Sequence, residues 1–373
     1  MKYQEKETKT VLNIQKFINP WFWNKYSLSP YQGCEFNCIY CYARSPKYNK
    51  YFGNSNTIYI KNNIAKQLDQ RLTRAKVLLP DIVGMTGVCD PYQASNTKFQ
   101  LTRECLKIFS KHKWPIHIFT KSNLVINDID ILDQIAKNNW SAISFTITTT
   151  NGKIAKFLEP NAPLPKKRFE TIKHIKSINK NILVGIFAIP IIPGLTDTDK
   201  EIENLIKQTK ASKADYLLFS PGLTMDNEQG LIFLKNLIQH YPNLIAQYED
   251  LYKFKYTPDK YNGNYTPKKS YIKKIAKKIF RLLEKYKIPY RIPRYIPNDY
   301  RKHNYLISEQ ILNQAYKLQT LGFTYNNLYW AGMNIQHLKE SIINIAKKNE
   351  LTKIRNVDKT IEKFIIDNLR KMK

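Results

Sequence analysis

The stretch YSLSPYQGCEFNCIYCYAR, residues 26–44, contains the features that decide the fold of this chain. Its opening run, residues 26–31, predicts a β-strand, and cysteines follow at positions 34, 38 and 41. Spacings of four and three residues bring three thiolates within reach of one centre when Cys34, Cys38 and Cys41 lie on a short loop. Thiolates bind zinc, copper(I) or an iron–sulfur cluster, so the residues alone leave these alternatives open.

The supply of further ligands favours an iron–sulfur cluster over a structural zinc ion. A structural zinc site needs four ligands, but the first histidine is His112, and Cys89 and Cys105 are remote in sequence. A [4Fe–4S] cluster held by three cysteines leaves one iron open. An open iron is a site of reaction, whereas a closed four-cysteine cluster normally only carries electrons. Redox-active thiols or incidental cysteines are the simpler alternatives.

Buried strands alternate with helical patterns before residue 225. Each apolar run is nearly continuous, as expected for parallel strands that are buried on both faces. The predicted strands are residues 26–31, 82–88, 116–120, 142–149, 182–190 and 216–220. The predicted helices between them lie near 61–75, 98–111, 128–138, 166–178 and 197–209. Repeated βα units predict an α/β fold, and a doubly wound sheet and a TIM-like barrel both satisfy the pattern.

Strand signals fade after about residue 225, where helical patterns take over. These patterns lie near 228–240, 268–287, 306–321, 334–348 and 355–370. We therefore predict three parts: an N-terminal segment (1–25), an α/β domain (26–225) and a helical, basic C-terminal region (226–373).

The cysteine loop resembles that of the radical S-adenosylmethionine (SAM) superfamily, in its CxxxCxxC spacing and in the aromatic Tyr40 before the last cysteine. The resemblance implies that Cys34, Cys38 and Cys41 bind three irons of a [4Fe–4S] cluster, while the amino and carboxylate groups of SAM chelate the fourth. It implies that an electron from the cluster cleaves SAM to methionine and a 5′-deoxyadenosyl radical, which abstracts hydrogen from a substrate. It also implies a partial TIM barrel of the (βα)6 type.

Further motifs resemble the spore photoproduct lyase-like branch, which includes DNA repair photolyase-like proteins. They run in order over residues 26–225: DPYQ (90–93), LTRE (101–104), TKS (120–122), DIDIL (128–132), LEPNAPLPKKRFETI (158–172) and IPIIPGLTD (189–197). The sequence ASN at 94–96 stands where we expect an acidic residue. We therefore expect a relative of the lyase rather than the lyase itself.

The resemblance places the SAM-binding residues at the carboxyl ends of the strands, where barrel enzymes have their sites. Lys121 would neutralise the SAM carboxylate, Asp90 and a strand-four hydroxyl would hold the methionyl or ribose part, and Glu159 and Arg168 would line the same rim. The predicted cofactor-binding residues are Tyr40, Asp90, Lys121, Ser144, Thr146, Glu159, Arg168 and Ser220, with Thr148 as another strand-four hydroxyl. The alternatives are a surface lysine at 121, a turn at Asp90 and a structural Glu159–Arg168 ion pair.

The two remaining cysteines have different predicted environments. Cys89 lies at the predicted top of the second strand, beside Asp90, where the resemblance implies a thiol that donates a hydrogen atom to a product radical. Packing is the alternative for Cys89. Cys105 falls in the amphipathic pattern LTRECLKIFSKH and is predicted to pack in the core.

Composition excludes several classes of protein. The 373 residues include 60 Lys and Arg against 30 Asp and Glu, a formal net charge of +30, and 43% are hydrophobic, enough for a sizeable core. The first residues, MKYQEKETKT, lack the apolar run of a signal peptide, and the longest apolar stretch, 183–195, is too short for a membrane span. We predict a cytoplasmic protein without a membrane span or a disulfide scaffold.

The positive charge is concentrated in residues 255–302. This window has 15 Lys and Arg against 3 Asp and Glu, together with eight tyrosines and one phenylalanine. Cations bind phosphates and tyrosines can stack on exposed bases, so the window is a candidate nucleic-acid surface. The alternative is a solvated helix face in a lysine-rich protein. The apolar positions Ile272, Ile275, Ile279, Leu282 and Tyr286 form one helical face, which we expect to pack on the barrel.

Two functional hypotheses follow. The first is a radical SAM enzyme, spore photoproduct lyase-like, that acts on nucleic acid and receives electrons from a donor such as flavodoxin or ferredoxin; within this class, the alternative substrate is a protein or small molecule. The second is a non-catalytic nucleic-acid-binding protein with a zinc or iron–sulfur site, in which Cys89 would be a fourth zinc ligand.

Overall fold

The computed structural model describes residues 1–45, 56–75 and 77–372. Within these ranges the chain forms ten β-strands and fourteen α-helices, with a few short 3-10 helices. The strands are β1 (Lys2–Lys6), β2 (Asn13–Ile14), β3 (Tyr26–Leu28), β4 (Tyr31–Gln32), β5 (Thr57–Lys61), β6 (Val83–Met85), β7 (Ile116–Thr120), β8 (Ser141–Thr146), β9 (Leu183–Ile191) and β10 (Tyr216–Pro221).

The helices are α1 (Ile64–Thr73), α2 (Ala94–Phe99), α3 (Leu101–Lys111), α4 (Ile129–Asn138), α5 (Gly152–Leu158), α6 (Pro165–Ile178) and α7 (Asp199–Ala211) in the first part of the chain. The remaining helices are α8 (Asn227–His240), α9 (Ile245–Tyr252), α10 (Lys269–Lys285), α11 (Arg301–Thr320), α12 (Asn326–Ile335), α13 (Ile342–Lys347) and α14 (Lys359–Lys371).

The main sheet has seven strands in the order β10-β9-β8-β7-β6-β3-β2. Its strands β3, β6, β7, β8, β9 and β10 are parallel and neighbour one another in chain order, and β2 is antiparallel at the edge. Each predicted strand overlaps one of these six parallel strands, so the α/β prediction is confirmed. Within the described part of the chain no pairing joins β10 to β2, so the sheet is open.

A polar row crosses the interior of the sheet. Ser144 of β8 is level with Gly185 of β9, which is level with Tyr216 of β10. The Ser144 hydroxyl lies 2.7 Å from His117 Nε2 and 2.7 Å from the Tyr216 hydroxyl. A Cβ atom at Gly185 would lie 2.1 Å from the Tyr216 ring, so only glycine leaves room for this row.

A second, three-stranded sheet has the order β1-β5-β4, which the sequence did not lead us to expect. The predicted strand 26–31 divides into β3 and β4, which belong to different sheets, with Pro30 between them. Proline lacks the N–H that a continuous ladder requires. The N-terminal segment contributes a strand to each sheet, because β1 pairs with β5 and β2 pairs with β3.

The C-terminal region is helical, as predicted, and its helix α10 packs against α7 and β10. The expected apolar face of α10 is confirmed at Ile275, Ile279 and Leu282, which are buried. One prediction is wrong: the pattern 334–348 is not a single helix, because α12 ends at Ile335 and α13 begins at Ile342. The Ser341 hydroxyl accepts a hydrogen bond from the Ile343 N–H, and this cap starts α13 separately.

Residues 289–292 connect the outer strand β10 with the segment before β3. The Leu217 N–H donates to the Pro289 carbonyl (2.9 Å). The Trp23 indole N–H donates to the Ile292 carbonyl (3.0 Å). The C-terminal region therefore contacts both β10 and the residues that precede β3. None of the described helices is both long enough and apolar enough to cross a membrane.

Candidate functional site

The cysteine loop, residues 33–44, follows β3 and β4 and is held from three directions. The Ile39 N–H donates to the Leu158 carbonyl at the end of α5 (3.0 Å). The Asn161 side-chain amide donates to the Glu35 carbonyl (2.8 Å). From α8, the buried Gln229 side chain donates to the Tyr40 carbonyl (3.1 Å). These contacts fix the path of the backbone that carries the three cysteines.

The three cysteines pack against one apolar cluster on this side of the sheet. Cys38 is buried within it, and Cys34 and Cys41 are half-buried against it. Burial raises the pKa of the Cys38 thiol to about 12, although the Lys121 cation acts in the opposite direction. Burial likewise raises the pKa of Cys34.

The donor set fits an iron–sulfur cluster. In a [4Fe–4S] cluster each cysteine binds its own iron. Cys34, Cys38 and Cys41 would offer one thiol to each of three irons. Three soft thiol donors on one short loop are the ligand type that iron–sulfur clusters take.

Lys121 supplies a cation beside the cysteines. It follows the last residue of β7, and its Nζ atom lies 5.6 Å from the centre of the Tyr40 ring. Burial acts to lower the pKa of Lys121, but the nearby Cys38 and Glu159 groups outweigh burial and raise it. Across the part of the chain that the structure describes, no acidic side chain forms an ion pair with this ammonium group. An unpaired, poorly solvated cation is suited to an anionic ligand.

Glu159 and Arg168 form an ion pair beside Lys121, and both side chains are 1% exposed. Glu159 also accepts a hydrogen bond from the Tyr40 hydroxyl, and Arg168 donates to the Thr146 carbonyl (2.7 Å). Burial would raise the pKa of Glu159, but Arg168 and Lys121 together lower it. The pair thus holds Tyr40 of the cysteine loop against the end of β8.

Asp90 joins the ends of β6 and β7. Its carboxylate accepts hydrogen bonds from the Thr120 hydroxyl (2.7 Å), the Lys121 N–H (2.7 Å) and the Tyr92 N–H (2.9 Å). Burial raises the pKa of Asp90, and these hydrogen bonds act against that rise. The carboxylate therefore positions the backbone of Lys121.

The predicted hydroxyls occupy different levels of the sheet. Ser144 is fully buried and its hydroxyl is engaged in the polar row with His117 and Tyr216, so the structure does not bring it to the rim. Thr146 lies at the end of β8, half-buried, and its carbonyl contacts Arg168. Thr148 is buried beyond the strand, and Ser220 is half-buried near the end of β10.

Cys89 lies just before Asp90 in the segment that follows β6. Its thiol donates to the Tyr31 carbonyl (3.3 Å), and its own carbonyl accepts from the Thr86 hydroxyl. Burial raises the pKa of Cys89 to about 12, with an opposing effect from Lys61. The Cys89 side chain is therefore a neutral thiol at physiological pH. Cys105 is fully buried in the core, as predicted.

The basic window divides into two environments. Arg291, Arg294 and Arg301, which the charge count assigned to a candidate surface, are buried. Arg294 stacks on the rings of Trp23 (4.8 Å) and Tyr305 (3.8 Å). Along α10, Lys274 and Lys277 are exposed, whereas Lys273 and Lys278 are half-buried. These three arginines are therefore not part of the candidate nucleic-acid surface, because aromatic and acidic side chains enclose them, whereas Arg281 is exposed.

Comparison with known proteins identifies the family. Residues 28–209 match the radical SAM superfamily. An uncharacterized protein of Methanocaldococcus jannaschii is 30% identical over 219 residues, which cover 58% of this chain and 77% of the relative. The chain belongs to the radical SAM superfamily. This radical SAM protein is also 24% identical, over 269 residues, to an uncharacterized protein of Mycobacterium tuberculosis, covering 71% of this chain and 75% of the relative.

The fold of this radical SAM enzyme is similar to that of spore photoproduct lyase. A mutant form of that lyase superposes with a TM-score of 0.56 at 14% identity, covering 76% of this chain and 79% of the lyase. A second mutant form, with bound SAM and dinucleoside spore photoproduct, gives a TM-score of 0.52 at 15% identity, covering 70% of this chain and 74% of the lyase. The similarity establishes a spore photoproduct lyase-like fold.

Radical SAM enzymes use a [4Fe–4S] cluster and SAM, and the residues of this site fit both. Three thiols on one loop suit the cluster, and the unpaired Lys121 cation suits the carboxylate of SAM. The sequence did not reveal Gln229 and Asn161, which hold the cysteine loop through its carbonyl groups. Asn161 lies within the motif at 158–172, whereas no local signal marks Gln229, which acts from an element far along the chain.

Proposed function

We propose that this radical SAM enzyme binds its [4Fe–4S] cluster through Cys34, Cys38 and Cys41 and acts on nucleic acid, in the manner of a spore photoproduct lyase. When bound, the cluster and SAM supply a 5′-deoxyadenosyl radical for hydrogen abstraction. The observation that carries the proposal is the unpaired Lys121 cation beside a loop of three thiols, at the carboxyl ends of parallel strands. The similarity in fold to the lyase supports a partial barrel of the (βα)6 type.

Within this site we assign separate tasks to the neighbouring side chains. Lys121 binds the SAM carboxylate, and Thr146 and Ser220 are hydroxyls near the same ends of the strands. Asp90 orients Lys121 through its backbone. Glu159 and Arg168 orient Tyr40. They therefore act on SAM binding indirectly, by holding the cysteine loop in position. Ser144 contributes to the polar row below this level.

Cys89 is the hydrogen donor in this proposal. Its S–H bond breaks homolytically as a C–H bond forms on the product radical, leaving a thiyl radical on sulfur. The position before Asp90 and the neutral state of the thiol support this role. Turnover and product distribution that remain unchanged in Cys89→Ala would remove Cys89 from the mechanism, and Cys105→Ala, a change in the core, is the matched control.

The enzyme also needs an electron donor, and we expect reduced flavodoxin or ferredoxin in the cytoplasm. The first experiment is anaerobic purification with iron and sulfide analysis, followed by dithionite and SAM. We expect about four irons per chain and the release of 5′-deoxyadenosine. A colourless protein that contains zinc and releases no 5′-deoxyadenosine would contradict the proposal and favour a non-catalytic metal protein.

The nucleic-acid part is tested separately with oligonucleotides. UV-irradiated and untreated oligonucleotides are supplied with SAM and dithionite, and 5′-deoxyadenosine is measured by chromatography. We expect the irradiated oligonucleotide to be altered by wild-type enzyme and left intact by Cys38→Ala. Release of 5′-deoxyadenosine with every oligonucleotide unchanged would leave the radical chemistry in place and assign the substrate to a protein or small molecule.

A further inference from the structure

An exposed aromatic ring and a group of cations lie together where α10 meets the turn between α11 and α12. The Phe323 side chain is 52% exposed. The Lys273 ammonium group stands over its ring, 5.0 Å from the centre. A Cβ atom at Gly322 would lie 3.9 Å from the Lys273 Cδ atom, so the turn and the helix are in direct contact.

Further cations extend from Lys273 along the helix. Lys277 is one turn later on the same side, and Lys274 and Arg281 are exposed on the adjoining side. In the described segments, none of these four cations forms an ion pair with an acidic side chain. Lys278 behaves differently, because it lies on the opposite margin of α10 and pairs with Asp199. The four cations thus form one stripe that ends at Phe323, with Lys273 half-buried beside the ring and the other three exposed.

Four tyrosines of the basic window are not available to stack on a base, and the two exposed ones, Tyr265 (52%) and Tyr300 (39%), lie outside α10. Tyr261 and Tyr295 are buried, and Tyr271 and Tyr286 donate to the acidic side chains of α7 and the loop before it. The aromatic group next to the α10 lysines comes instead from Phe323, outside the window. Solvent exposure of a phenylalanine ring costs hydrophobic free energy, which a bound ring system would recover.

We propose that Phe323, Lys273, Lys274, Lys277 and Arg281 form a binding site for single-stranded nucleic acid, which we call the Phe323 surface. The Phe323 ring stacks on one unpaired base and the cations bind the flanking phosphates. The proposal rests on the nucleic-acid function proposed above and locates it on the molecule. A single strand fits because a paired base in a duplex does not present its flat face to a side chain.

A membrane surface is a poorer occupant for this site. A basic helix binds a membrane by inserting its apolar face, but the apolar face of α10 is buried against α7 and β10. One exposed ring beside four cations offers a stacking face for a base and contacts for phosphates on the same surface.

The test uses the full chain and a fluorescein-labelled oligothymidylate, with binding followed by fluorescence anisotropy over a range of salt concentrations. We expect Phe323→Ala to weaken binding about tenfold, the usual effect of losing one base stack. We expect K273E/K277E to weaken binding further. The slope of log affinity against log salt should become less steep by about 1.4, because two phosphate contacts on a single strand are lost.

Matched controls separate this site from general charge. Phe17 is 47% exposed and has Lys16 over its ring at 5.4 Å, so Phe17→Ala removes a similar ring elsewhere. K347E/K363E makes the same charge change at two other exposed lysines. Equal losses in the controls and in the Phe323-surface variants would overturn the proposed site, as would binding that ignores salt.

The outcomes for the site and for the catalytic function can be told apart. If wild-type enzyme alters an oligonucleotide but the Phe323-surface variants bind and react normally, the surface is wrong and the function stands. If the variants lose binding while no oligonucleotide is ever altered, the surface stands and the nucleic-acid substrate is wrong. Absence of binding to the oligothymidylate by the wild-type chain overturns the surface directly.

Discussion

The two ends of the parallel sheet both bury positively charged side chains, but they use them differently. At the carboxyl ends, Lys121 lies beside the cysteine loop with no acidic partner in the described structure. At the amino ends, Arg291 and Arg294 are enclosed by Trp23 and the rings of α11. Arg291 donates to the Asn313 side chain (2.8 Å) and Arg294 to the Ser308 hydroxyl (2.8 Å).

The difference separates the arginines, which the chain itself holds, from Lys121, which is suited to binding a ligand. Stacking and hydrogen bonds within the chain hold the two arginines, although one guanidinium nitrogen of each has no hydrogen-bond partner among the described residues. They connect the C-terminal region to the residues before β3. Lys121 is instead held in place through its backbone by Asp90, with its ammonium group left open toward the thiols. Barrel enzymes have the same division, with catalysis at the carboxyl ends and stability at the amino ends.

The largest expected effect is a loss of activity, without a comparable loss of stability, when the carboxyl end of the sheet is altered. Cys38→Ala removes a cluster ligand, so we expect 5′-deoxyadenosine formation to fall below detection. The free energy of unfolding of the iron-free protein should change by less than about 2 kcal/mol, since one small buried side chain is lost. Retention of iron, sulfide and activity by this variant would show that Cys38 is not a ligand.

Arg294→Ala should have the opposite effect, lowering stability and leaving SAM binding unchanged. It removes a guanidinium stacked between Trp23 and Tyr305 and leaves space between the rings. We expect the free energy of unfolding to fall by about 3–5 kcal/mol in urea denaturation. SAM affinity of the reconstituted protein should be unchanged, and Lys302→Ala, an exposed neighbour, is the control. Wild-type stability in Arg294→Ala would mean that the amino end does not depend on this stack.

Lys121→Met tests the carboxyl end of the sheet by the same two measurements, SAM affinity and stability. Loss of a cation that faces the SAM carboxylate should weaken SAM binding by about 2–3 kcal/mol, roughly 30- to 150-fold, in calorimetric titration. The melting temperature should change little, because the lost attraction to Glu159 is offset by removal of a poorly solvated charge. A lower melting temperature with unchanged SAM affinity would place Lys121 with the structural cations.

The polar row between the two ends gives the smallest effect, a dependence of stability on pH. Burial lowers the pKa of His117 to about 3, whereas an unfolded histidine titrates near 6.5. The unfolded chain therefore binds the extra proton first, and stability falls as pH drops below about 6.5. Between pH 6.5 and 4.5 the loss should be about 2 kcal/mol.

The matched variant for this effect is His117→Gln, which keeps a polar side chain beside Ser144 but cannot titrate. Urea unfolding of His117→Gln should show a shallower decline over the same pH range than wild type. Equal slopes in the two proteins would mean that other groups control the acid sensitivity.

The sequence predicted the parallel strands well because each is a nearly continuous apolar run that must be buried on both faces. It failed at the second sheet, although β5 has a visible signal. TIYIK at 57–61 alternates between half-buried and buried positions, the period of a strand with one covered face. Its partner β1 is mostly polar and exposed, so that pairing depends on long-range contacts that no local pattern encodes.

For the site, motif spacing predicted the cysteine loop and the neighbourhood of Lys121, Glu159 and Arg168. It could not tell apart hydroxyls two residues apart on one strand, and so it grouped Ser144 with Thr146. It also could not predict the burial of Arg291 and Arg294, because charge counting treats every arginine as solvated. Their enclosure depends on Trp23, which lies far away in sequence.

The bonds that join residues 289–292 to the start of the chain have a consequence for synthesis. Trp23 and Ile292 are 269 positions apart, and Arg291 donates to a carbonyl 271 positions earlier, that of Pro20. At about 5–20 residues per second, a ribosome needs roughly 15–50 s to make the chain between these partners. Until then, the apolar residues before β3 emerge without the side chains that later enclose them, and a chaperone has that interval in which to shield them.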